Sequence, residues 1–184
     1  MNKAAFLDRD GVINRKARQG EYITRWEEVE FLPGVAEAIA LLNSFGFRVI
    51  VITNQRCVAK GQISIPELES LHLRMVRELA KQGAVIDAVY YCPHEKNPYC
   101  ACRKPAPGML MNAAHHHDID LRQSWMIGDS DIDIEAGKAA GCKTIRILGE
   151  GETNTMNADL GAESLLQAAH LFQQQENECT TARR

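Results

Sequence analysis

The sequence lacks a hydrophobic run long enough to cross a membrane. Its apolar stretches, such as the one around residues 48–52, fall far short of the roughly 20 residues that a transmembrane helix needs. No leader-like segment precedes the first apolar stretch, at residues 4–7. We therefore expect a cytoplasmic protein that does not contact a membrane.

An excess of positive charge is also missing. The 184 residues include 21 Lys and Arg against 24 Asp and Glu, which gives a net charge of -3. Because nucleic-acid binding depends on a basic surface, this balance argues against a nucleic acid as partner. Hydrophobic residues at 45% and charged residues at 24% are typical of a globular chain. The length predicts a single domain over residues 1–175, followed by a polar tail at 176–184 that we expect to be disordered.

Apolar segments of strand type and helix type alternate along the chain. Short apolar runs predict strands at 4–7, 48–52, 85–91, 124–127 and 144–147. Helical periodicity predicts helices at 33–45, 65–82, 108–117, 131–140 and 162–174. This order predicts an α/β fold with a Rossmann-like parallel sheet and helices on both faces. The segments after the first and third strands are too short for a large cap domain.

Acidic residues come directly after two of the predicted strands. Asp8 and Asp10 follow the first strand, and Asp129 and Asp133 follow the fourth. Two carboxylates at the end of a strand can bind a divalent cation, or serve as nucleophile and as acid or base. The structural alternative for each pair alone is an acidic turn or a helix N-terminus that favours Asp.

Polar and cationic residues lie near the same predicted edge of the sheet. Thr53 and the backbone N–H groups after it could hold phosphate oxygens, and a turn or helix cap is the alternative. Arg103 and Lys104, next to Pro105, could neutralise a phosphoryl group, and an ordinary surface pair is the alternative. Since open parallel sheets bind ligands beyond the carboxyl ends of their strands, these positions together predict one active site.

Four soft ligands lie close together in the loop after the third predicted strand: Cys92, His94, Cys100 and Cys102. Three thiolates and one imidazole suit Zn²⁺ in tetrahedral coordination, and with no position left open the site would be structural. Three unconnected buried thiols are the alternative. Because Arg103 and Lys104 come next in the chain, zinc would also fix the position of these two cations.

With these motifs in order, the sequence resembles the haloacid dehalogenase superfamily of phosphohydrolases. The shared motifs span roughly residues 4–148 and are Asp8-Arg9-Asp10-Gly11, Thr53-Asn54, Lys104-Pro105 and Gly128-Asp129 through Asp133. The resemblance implies that Asp8 attacks phosphorus and forms an aspartyl-phosphate, while Asp10 serves as general acid and then as general base. Thr53 and Lys104 would stabilise charge on the phosphate. The catalytic Mg²⁺ would be held by Asp8, the backbone carbonyl of Asp10, and Asp129.

Within this superfamily, the sequence is similar to the D-glycero-D-manno-heptose 1,7-bisphosphate 7-phosphatases. The segments that carry the similarity are residues 8–14, 30–35, 53–55, 91–94, 102–105 and 107–110. The similarity implies removal of the 7-phosphate from a small sugar phosphate, in a pathway to lipopolysaccharide or another surface glycan, and we expect a monomer. It implies that Asp133 supports the acidic shell, and it places these residues near the substrate: Arg9, Asn54, Gln55, Arg56, Arg103 and Ser130.

Two departures from that family leave other functions open. Arg56-Cys57-Val58 stand where the family often has Ser-Gly-Ile, and only five residues separate His94 from Cys100. Histidinol-phosphate phosphatases carry such a short loop, so histidinol phosphate is the alternative substrate. A non-catalytic zinc-bearing module of the same fold and a phosphatase acting on nucleic-acid 3′ ends are further alternatives. The complete set of motif residues argues against the first, and the acidic charge balance against the second.

Overall fold

Within the described residues, six parallel strands form one sheet. The computed structural model describes residues 1–96, 100–149 and 158–172. The strands are β1 (Lys3–Leu7), β2 (Phe47–Asn54), β3 (Ala88–Cys92), β4 (Trp125–Gly128), β5 (Lys143–Ile147) and β6 (Leu160–Ala162). Their order across the sheet is β3-β2-β1-β4-β5-β6. The strand order therefore reverses between β1 and β4, which is where open α/β sheets bind their ligands.

Helices cover both faces of the sheet. They are α1 (Val35–Ser44), α2 (Ile65–Ala80), α3 (Gly108–His117), α4 (Asp131–Ala140) and α5, which is described over residues 165–172. Single 3-10 turns lie at Trp26–Glu28 and Leu121–Gln123. Apolar residues of α1, α2 and α5 pack on one face, whereas those of α3 and α4 pack on the other.

The alternation of side chains along β1 explains the two layers. Ala5 and Leu7 belong to the apolar cluster under α1, α2 and α5, whereas Ala4 and Phe6 belong to the cluster under α3 and α4. All four are fully buried, as expected for a central parallel strand. Because both faces are buried, the register of β1 is fixed, and so is the point where Asp8 leaves the sheet.

The structure confirms the predicted fold class: a parallel sheet with helices on both faces and, in the described ranges, no large cap domain. The last predicted helix, 162–174, is wrong at its start, because Leu160–Ala162 form the edge strand β6 and the helix begins at residue 165. Asp159 holds this short strand beside β5, since its carboxylate accepts hydrogen bonds from N and Oγ1 of Thr144 at 2.7 and 2.8 Å. Residues 173–174 and the predicted tail at 176–184 lie outside the described residues.

Only short segments surround the carboxyl end of the sheet. The chain between β1 and α1 contains a single 3-10 turn, and the described residues between β3 and α3 form no helix or strand. The ends of β1, β2 and β4 therefore meet at an open cleft. Among the helices in the described ranges, none has the length and apolar character required to span a bilayer.

Candidate active site

A buried ammonium group joins two carboxylates at the carboxyl end of the sheet. Asp8 follows β1 directly, and Lys104 lies in the loop before α3. Nζ of Lys104 is 2.8 Å from Oδ1 of Asp8 and 2.7 Å from Oδ1 of Asp133. It also donates a hydrogen bond of 2.7 Å to the backbone carbonyl of Ile52. Because the Lys104 side chain is only 1% exposed, these contacts keep its positive charge beside Asp8.

Burial and neighbouring charges act on both partners of this ion pair. Burial raises the pKa of Asp8 to about 7, with the carboxylates of Asp133 and Asp10 adding to the effect and Lys104 opposing it. Burial also disfavours the Lys104 ammonium, but Asp8 and Asp133 outweigh it, so the pKa of Lys104 is raised. A further cation close to Asp8 would favour its ionised form.

Asp10 has a different cationic partner. Its carboxylate accepts hydrogen bonds of 2.9 to 3.1 Å from the guanidinium of Arg9. Asn14 donates to it at 2.9 Å and Gln55 at 3.2 Å. Burial would raise the pKa of Asp10, but Arg9 and the hydrogen bonds outweigh burial and lower it. Asp10 is therefore held as a carboxylate in a fixed orientation.

Arg9 is a buried residue, with 1% of its side chain exposed. Its Nε and Nη2 donate to Asp10, and its Nη1 lies 3.1 Å from Nε2 of His72 on α2. Burial and the charge of Arg9 lower the pKa of His72 to about 3, so the imidazole is neutral and can accept this hydrogen bond. In this position the Arg9 guanidinium contacts protein groups and orients Asp10, and the predicted contact of Arg9 with substrate stays a prediction.

The end of β2 contributes a hydroxyl and two amides. Thr53 is 1% exposed, and its Oγ1 accepts a hydrogen bond of 2.8 Å from Nε2 of Gln55. The same Gln55 amide reaches Asp10, so it holds both side chains in place. Asn54 brackets the backbone of Lys104, donating to its carbonyl and accepting from its N–H, both at 3.1 Å. The β2 end therefore fixes the loop that carries Lys104.

Asp129 follows β4, and its carboxylate lies within 4.8 Å of that of Asp8. Nζ of Lys16 lies 2.5 Å from its Oδ2, whereas its Oδ1 is buried and accepts no hydrogen bond from the described residues. Burial raises the pKa of Asp129, although Lys16 opposes the shift. Gly11 leaves room for this carboxylate: its φ is 95°, and a Cβ at this position would overlap Oδ2 of Asp129.

Carboxylate oxygens of Asp8, Asp129 and Asp133 lie within 4.8 Å of one another, a spacing that a hard divalent cation could bridge. Asp133 has both oxygens engaged, because Lys104 binds Oδ1 and the N–H and hydroxyl of Ser130 bind Oδ2. Both hydrogen bonds to Asp8 go to Oδ1, which leaves its Oδ2 for another ligand. With the unpartnered Oδ1 of Asp129, the cluster fits a divalent cation, and Asp133 fits a supporting position.

These groups line one cleft with a volume of about 350 Å³. It contains most of the predicted site residues: Asp8, Arg9, Asp10, Thr53, Asn54, Gln55, Lys104, Asp129 and Ser130. Its rim includes residues 16–23 of the loop after β1. A small anionic substrate would therefore meet the Asp8 carboxylate and the Lys104 ammonium at the bottom of this cleft.

Two predicted substrate residues lie outside that cleft in the structure. The Arg56 guanidinium forms an ion pair with Glu95 of the Cys/His loop, and Arg56 does not line the cleft. Arg103 donates a hydrogen bond of 3.2 Å to the carbonyl of His94 and lines a neighbouring cavity with Lys104 and Ile132. Both arginines contact residues of the Cys/His loop, and their predicted contacts with substrate stay predictions.

The predicted metal-binding loop brings its four ligands together. The ligand atoms of Cys92, His94, Cys100 and Cys102 lie within 4.8 Å of one another. Neighbouring pairs are 2.9 to 3.9 Å apart, a range that includes the roughly 3.5–3.8 Å edges of a tetrahedron with zinc–ligand bonds of about 2.0–2.3 Å. Although burial opposes ionisation, hydrogen bonds from the neighbouring thiols and His94 lower the pKa of Cys100 to about 6. The cluster can bind a metal ion that prefers soft ligands.

Sequence reasoning missed two contributors to this site. Lys16 has no recognisable motif, and only the turn at Gly11 brings it onto Asp129. His72 sits on the buried stripe of α2, where it could equally have been a packing residue. The available signal was the spacing of His72 among Leu68, Leu71 and Met75, which indicates burial but does not reveal the contact with Arg9.

Comparisons with known proteins agree with this geometry. Residues 101–171 match a family model described as HAD-hydrolase-like. A D-glycero-beta-D-manno-heptose-1,7-bisphosphate 7-phosphatase from Rhodopseudomonas palustris is 45% identical over 154 residues, covering 80% of this chain and 84% of that protein. A D-glycero-alpha-D-manno-heptose-1,7-bisphosphate 7-phosphatase from Mycobacterium tuberculosis is 36% identical over 170 residues, covering 89% and 88%.

A solved structure of a heptose bisphosphate phosphatase also matches this chain. The D,D-heptose 1,7-bisphosphate phosphatase from B. bronchiseptica, complexed with magnesium and phosphate, matches with a TM-score of 0.85 and 35% identity, covering 94% of this chain and 99% of that one. The fold and the acidic cleft define a phosphohydrolase of the haloacid dehalogenase type. Within that class, the chain belongs to the family of these phosphatases.

Proposed function

We propose that this chain removes the 7-phosphate of D-glycero-D-manno-heptose 1,7-bisphosphate by way of an aspartyl-phosphate on Asp8. The observation that carries the proposal is the Asp8 carboxylate, held 2.8 Å from the buried Lys104 ammonium in a cleft that also contains Asp10 and Asp129. Two of the phosphatases that this chain resembles at 36% and 45% identity carry that heptose bisphosphate in their names.

In the first step, an oxygen of Asp8 attacks phosphorus and the bond between phosphorus and the sugar oxygen breaks. Asp10 donates its proton to the leaving sugar oxygen. In the free enzyme, Arg9 and its other partners keep the pKa of Asp10 low. The negative charge of a bound phosphate would raise that pKa again, so that Asp10 takes up a proton and can donate it to the leaving oxygen.

In the second step, Asp10 removes a proton from a water molecule, which attacks the phosphorus of the aspartyl-phosphate. Phosphate leaves and Asp8 returns to its carboxylate form. Lys104 and Thr53 donate to the phosphoryl oxygens as negative charge develops on them. Arg9, Gln55 and Asn54 hold these groups in position through the hydrogen bonds described above.

Mg²⁺ is the divalent cation that we propose for the cleft. The residues that would hold it are Asp8 and Asp129, together with the backbone carbonyl of Asp10. When bound, the ion would neutralise the repulsion between the Asp8 carboxylate and the anionic phosphate. The buried, unpartnered Oδ1 of Asp129 supports this assignment.

Zn²⁺ is the metal that we propose for the Cys/His cluster. Three thiols and one imidazole with near-tetrahedral spacing support it. A site that needs reduced thiols also supports a cytoplasmic location for the enzyme. We propose that it acts there as a monomer on a small sugar phosphate.

A substrate panel tests the proposed reaction. Phosphate release is measured with Mg²⁺ on both anomers of the heptose bisphosphate, on histidinol phosphate and on an oligonucleotide with a 3′-phosphate. We expect the highest kcat/KM on a heptose bisphosphate, with one phosphate released and the 1-phosphate retained. Faster turnover of histidinol phosphate or of the oligonucleotide would reject the substrate assignment, and no release from any of them would reject the reaction.

A further inference from the structure

Lys16 is a cation of the cleft that no step of the proposed reaction uses. It lies in the loop after β1, and its ammonium is 2.5 Å from Oδ2 of Asp129. The Lys16 side chain is 51% exposed, whereas that of Asp129 is 13% exposed. The contact therefore joins a half-exposed surface cation to a carboxylate that is mostly buried.

The cleft pairs each of its acids with a positive charge from the protein. Asp8 and Asp133 share Lys104, and Asp10 is paired with Arg9. The side chains of Lys104 and Arg9 are each 1% exposed, so neither cation can leave without opening the fold. Lys16 differs, because a half-exposed lysine can rotate into solvent at little cost.

The backbone at Gly11 provides the space for this exchangeable pair. A Cβ at residue 11 would overlap Oδ2 of Asp129 and would lie 2.6 Å from Cε of Lys16. Both partners of the ion pair therefore pass directly over the glycine. The approach of Lys16 to Asp129 depends on the absence of a side chain in this turn.

We propose that Lys16 is a built-in counter-ion that occupies Asp129 when the divalent cation is absent and is displaced when Mg²⁺ binds. The inference rests on the proposed magnesium site. An ammonium 2.5 Å from Oδ2 stands where it repels a divalent ion drawn to the same carboxylate. Lys16 therefore lowers the affinity of the cleft for Mg²⁺ and keeps the empty cleft electrostatically balanced.

Isothermal titration with Mg²⁺ measures this competition in the full-length protein. Lys16→Met removes the charge and keeps most of the side-chain length. Since exposed or half-exposed ion pairs are weak, we expect Mg²⁺ to bind about two- to fivefold more tightly to this variant than to the unmodified chain. An unchanged or weaker affinity for Mg²⁺ would overturn the proposal.

Arg18→Met is the matched control. Arg18 is an exposed cation of the same loop and lines the same cleft. Its loss changes the net charge by the same amount as the loss of Lys16. This variant therefore measures how far the removal of any positive charge from the loop changes Mg²⁺ affinity. The proposal requires the gain in Mg²⁺ affinity to be confined to Lys16→Met, and an equal gain in both variants would refute it.

Asp129→Asn separates this inference from the proposed metal site. If Asp129 holds the metal, this variant binds Mg²⁺ much more weakly whatever Lys16 does. Mg²⁺ binding to Asp129→Asn at the original affinity would reject the metal site and the Lys16 proposal together. A second readout is the rise in melting temperature on adding Mg²⁺, which should be larger for Lys16→Met than for the unmodified chain, and an equal rise would count against the proposal.

Discussion

The catalytic cleft and the neighbouring Cys/His loop are held in place by different kinds of interaction. In the cleft, the charged groups are held by other protein groups: Lys104 by two carboxylates and a backbone carbonyl, and Arg9 by Asp10 and His72. In the loop, Cys92 is buried, Cys100 and Cys102 are partly buried and His94 is exposed, and their ligand atoms face mainly one another. The proposed zinc ion would be the partner that these ligand atoms share.

With the proposed zinc bound, the sheet would organise the cleft and the metal would organise the loop. The two regions meet at Arg103, which bonds to the carbonyl of His94, and at the following residue, Lys104. Asn54 holds the backbone of Lys104 from the side of the sheet. The position of Lys104 should therefore depend strongly on the sheet and moderately on the loop.

Removing the Lys104 charge tests the cleft half of this comparison and should have the largest effect. Lys104→Met leaves Asp8 and Asp133 buried without their shared cation, and it removes a donor to the phosphoryl group. We expect kcat to fall by about 10²–10³-fold and the melting temperature to fall as well. The control is Lys81→Met, which removes an exposed cation paired with Glu78. A Lys104→Met enzyme within tenfold of full activity would contradict the account.

Removing zinc tests the loop half. Dialysis against a zinc chelator, followed by activity assays with Mg²⁺ present, should lower kcat/KM by about tenfold, because the loop would no longer fix Arg103 and Lys104. Proteolysis should then cut within residues 93–103 before it cuts the sheet. Cys100→Ser should show the same loss of kcat/KM and the same early proteolysis. Cys142→Ser, at a buried thiol outside the cluster, should keep its zinc. Undiminished turnover in the zinc-free protein would show that the loop and the cleft are independent.

The smallest expected effect concerns His72. It contacts Arg9, in the part of the cleft that is held in place by protein groups alone. Its pKa is about 3 in the fold, against an ordinary value of 6.5. Between these values the unfolded chain binds a proton that the folded chain does not. Stability is therefore lost as pH falls below 6.5, by up to about 1.4 kcal/mol for each pH unit.

His72→Gln isolates this effect, because glutamine cannot titrate there but can still accept a hydrogen bond from Arg9. Urea unfolding between pH 6.5 and 4.5 should show a shallower loss of stability in the variant, with a difference of about 2 kcal/mol at the lower pH. Activity near pH 7 should stay close to normal, whereas His72→Leu should lower kcat. Parallel stability curves for His72→Gln and the unmodified chain would show that His72 is not a buried neutral group.

How far the sequence predicts the molecule differs between these regions. The strands before Asp8 and Asp129, and the one that contains Thr53 near its end, were predictable, because buried parallel strands are continuous apolar runs and the first polar residues lie near the edge of the sheet. That Cys92, His94, Cys100 and Cys102 cluster was predictable from their spacing and chemistry. The short strand β6 was not, because three residues with a central glycine carry almost no periodic signal.

The contacts of individual side chains were the least predictable feature of the molecule. Arg9 lies in a motif between two catalytic candidates, and the motif alone does not reveal that its guanidinium contacts Asp10 and His72. The family resemblance places Arg56 and Arg103 near the substrate, and it does not reveal their contacts with Glu95 and His94 in the structure. Long cationic side chains can reach several partners, and only packing decides among them.

Phosphate release by Asp8→Asn at saturating Mg²⁺ tests the central claim most directly. The matched control is Asp131→Asn, which makes the same chemical change at a half-exposed acid paired with Arg146 near the start of α4. The account predicts that Asp8→Asn loses at least about 10³-fold in kcat on the best substrate while keeping its fold, and that Asp131→Asn stays near full activity. A folded Asp8→Asn enzyme with activity within tenfold of the unmodified chain would show that Asp8 is not the phosphoryl acceptor.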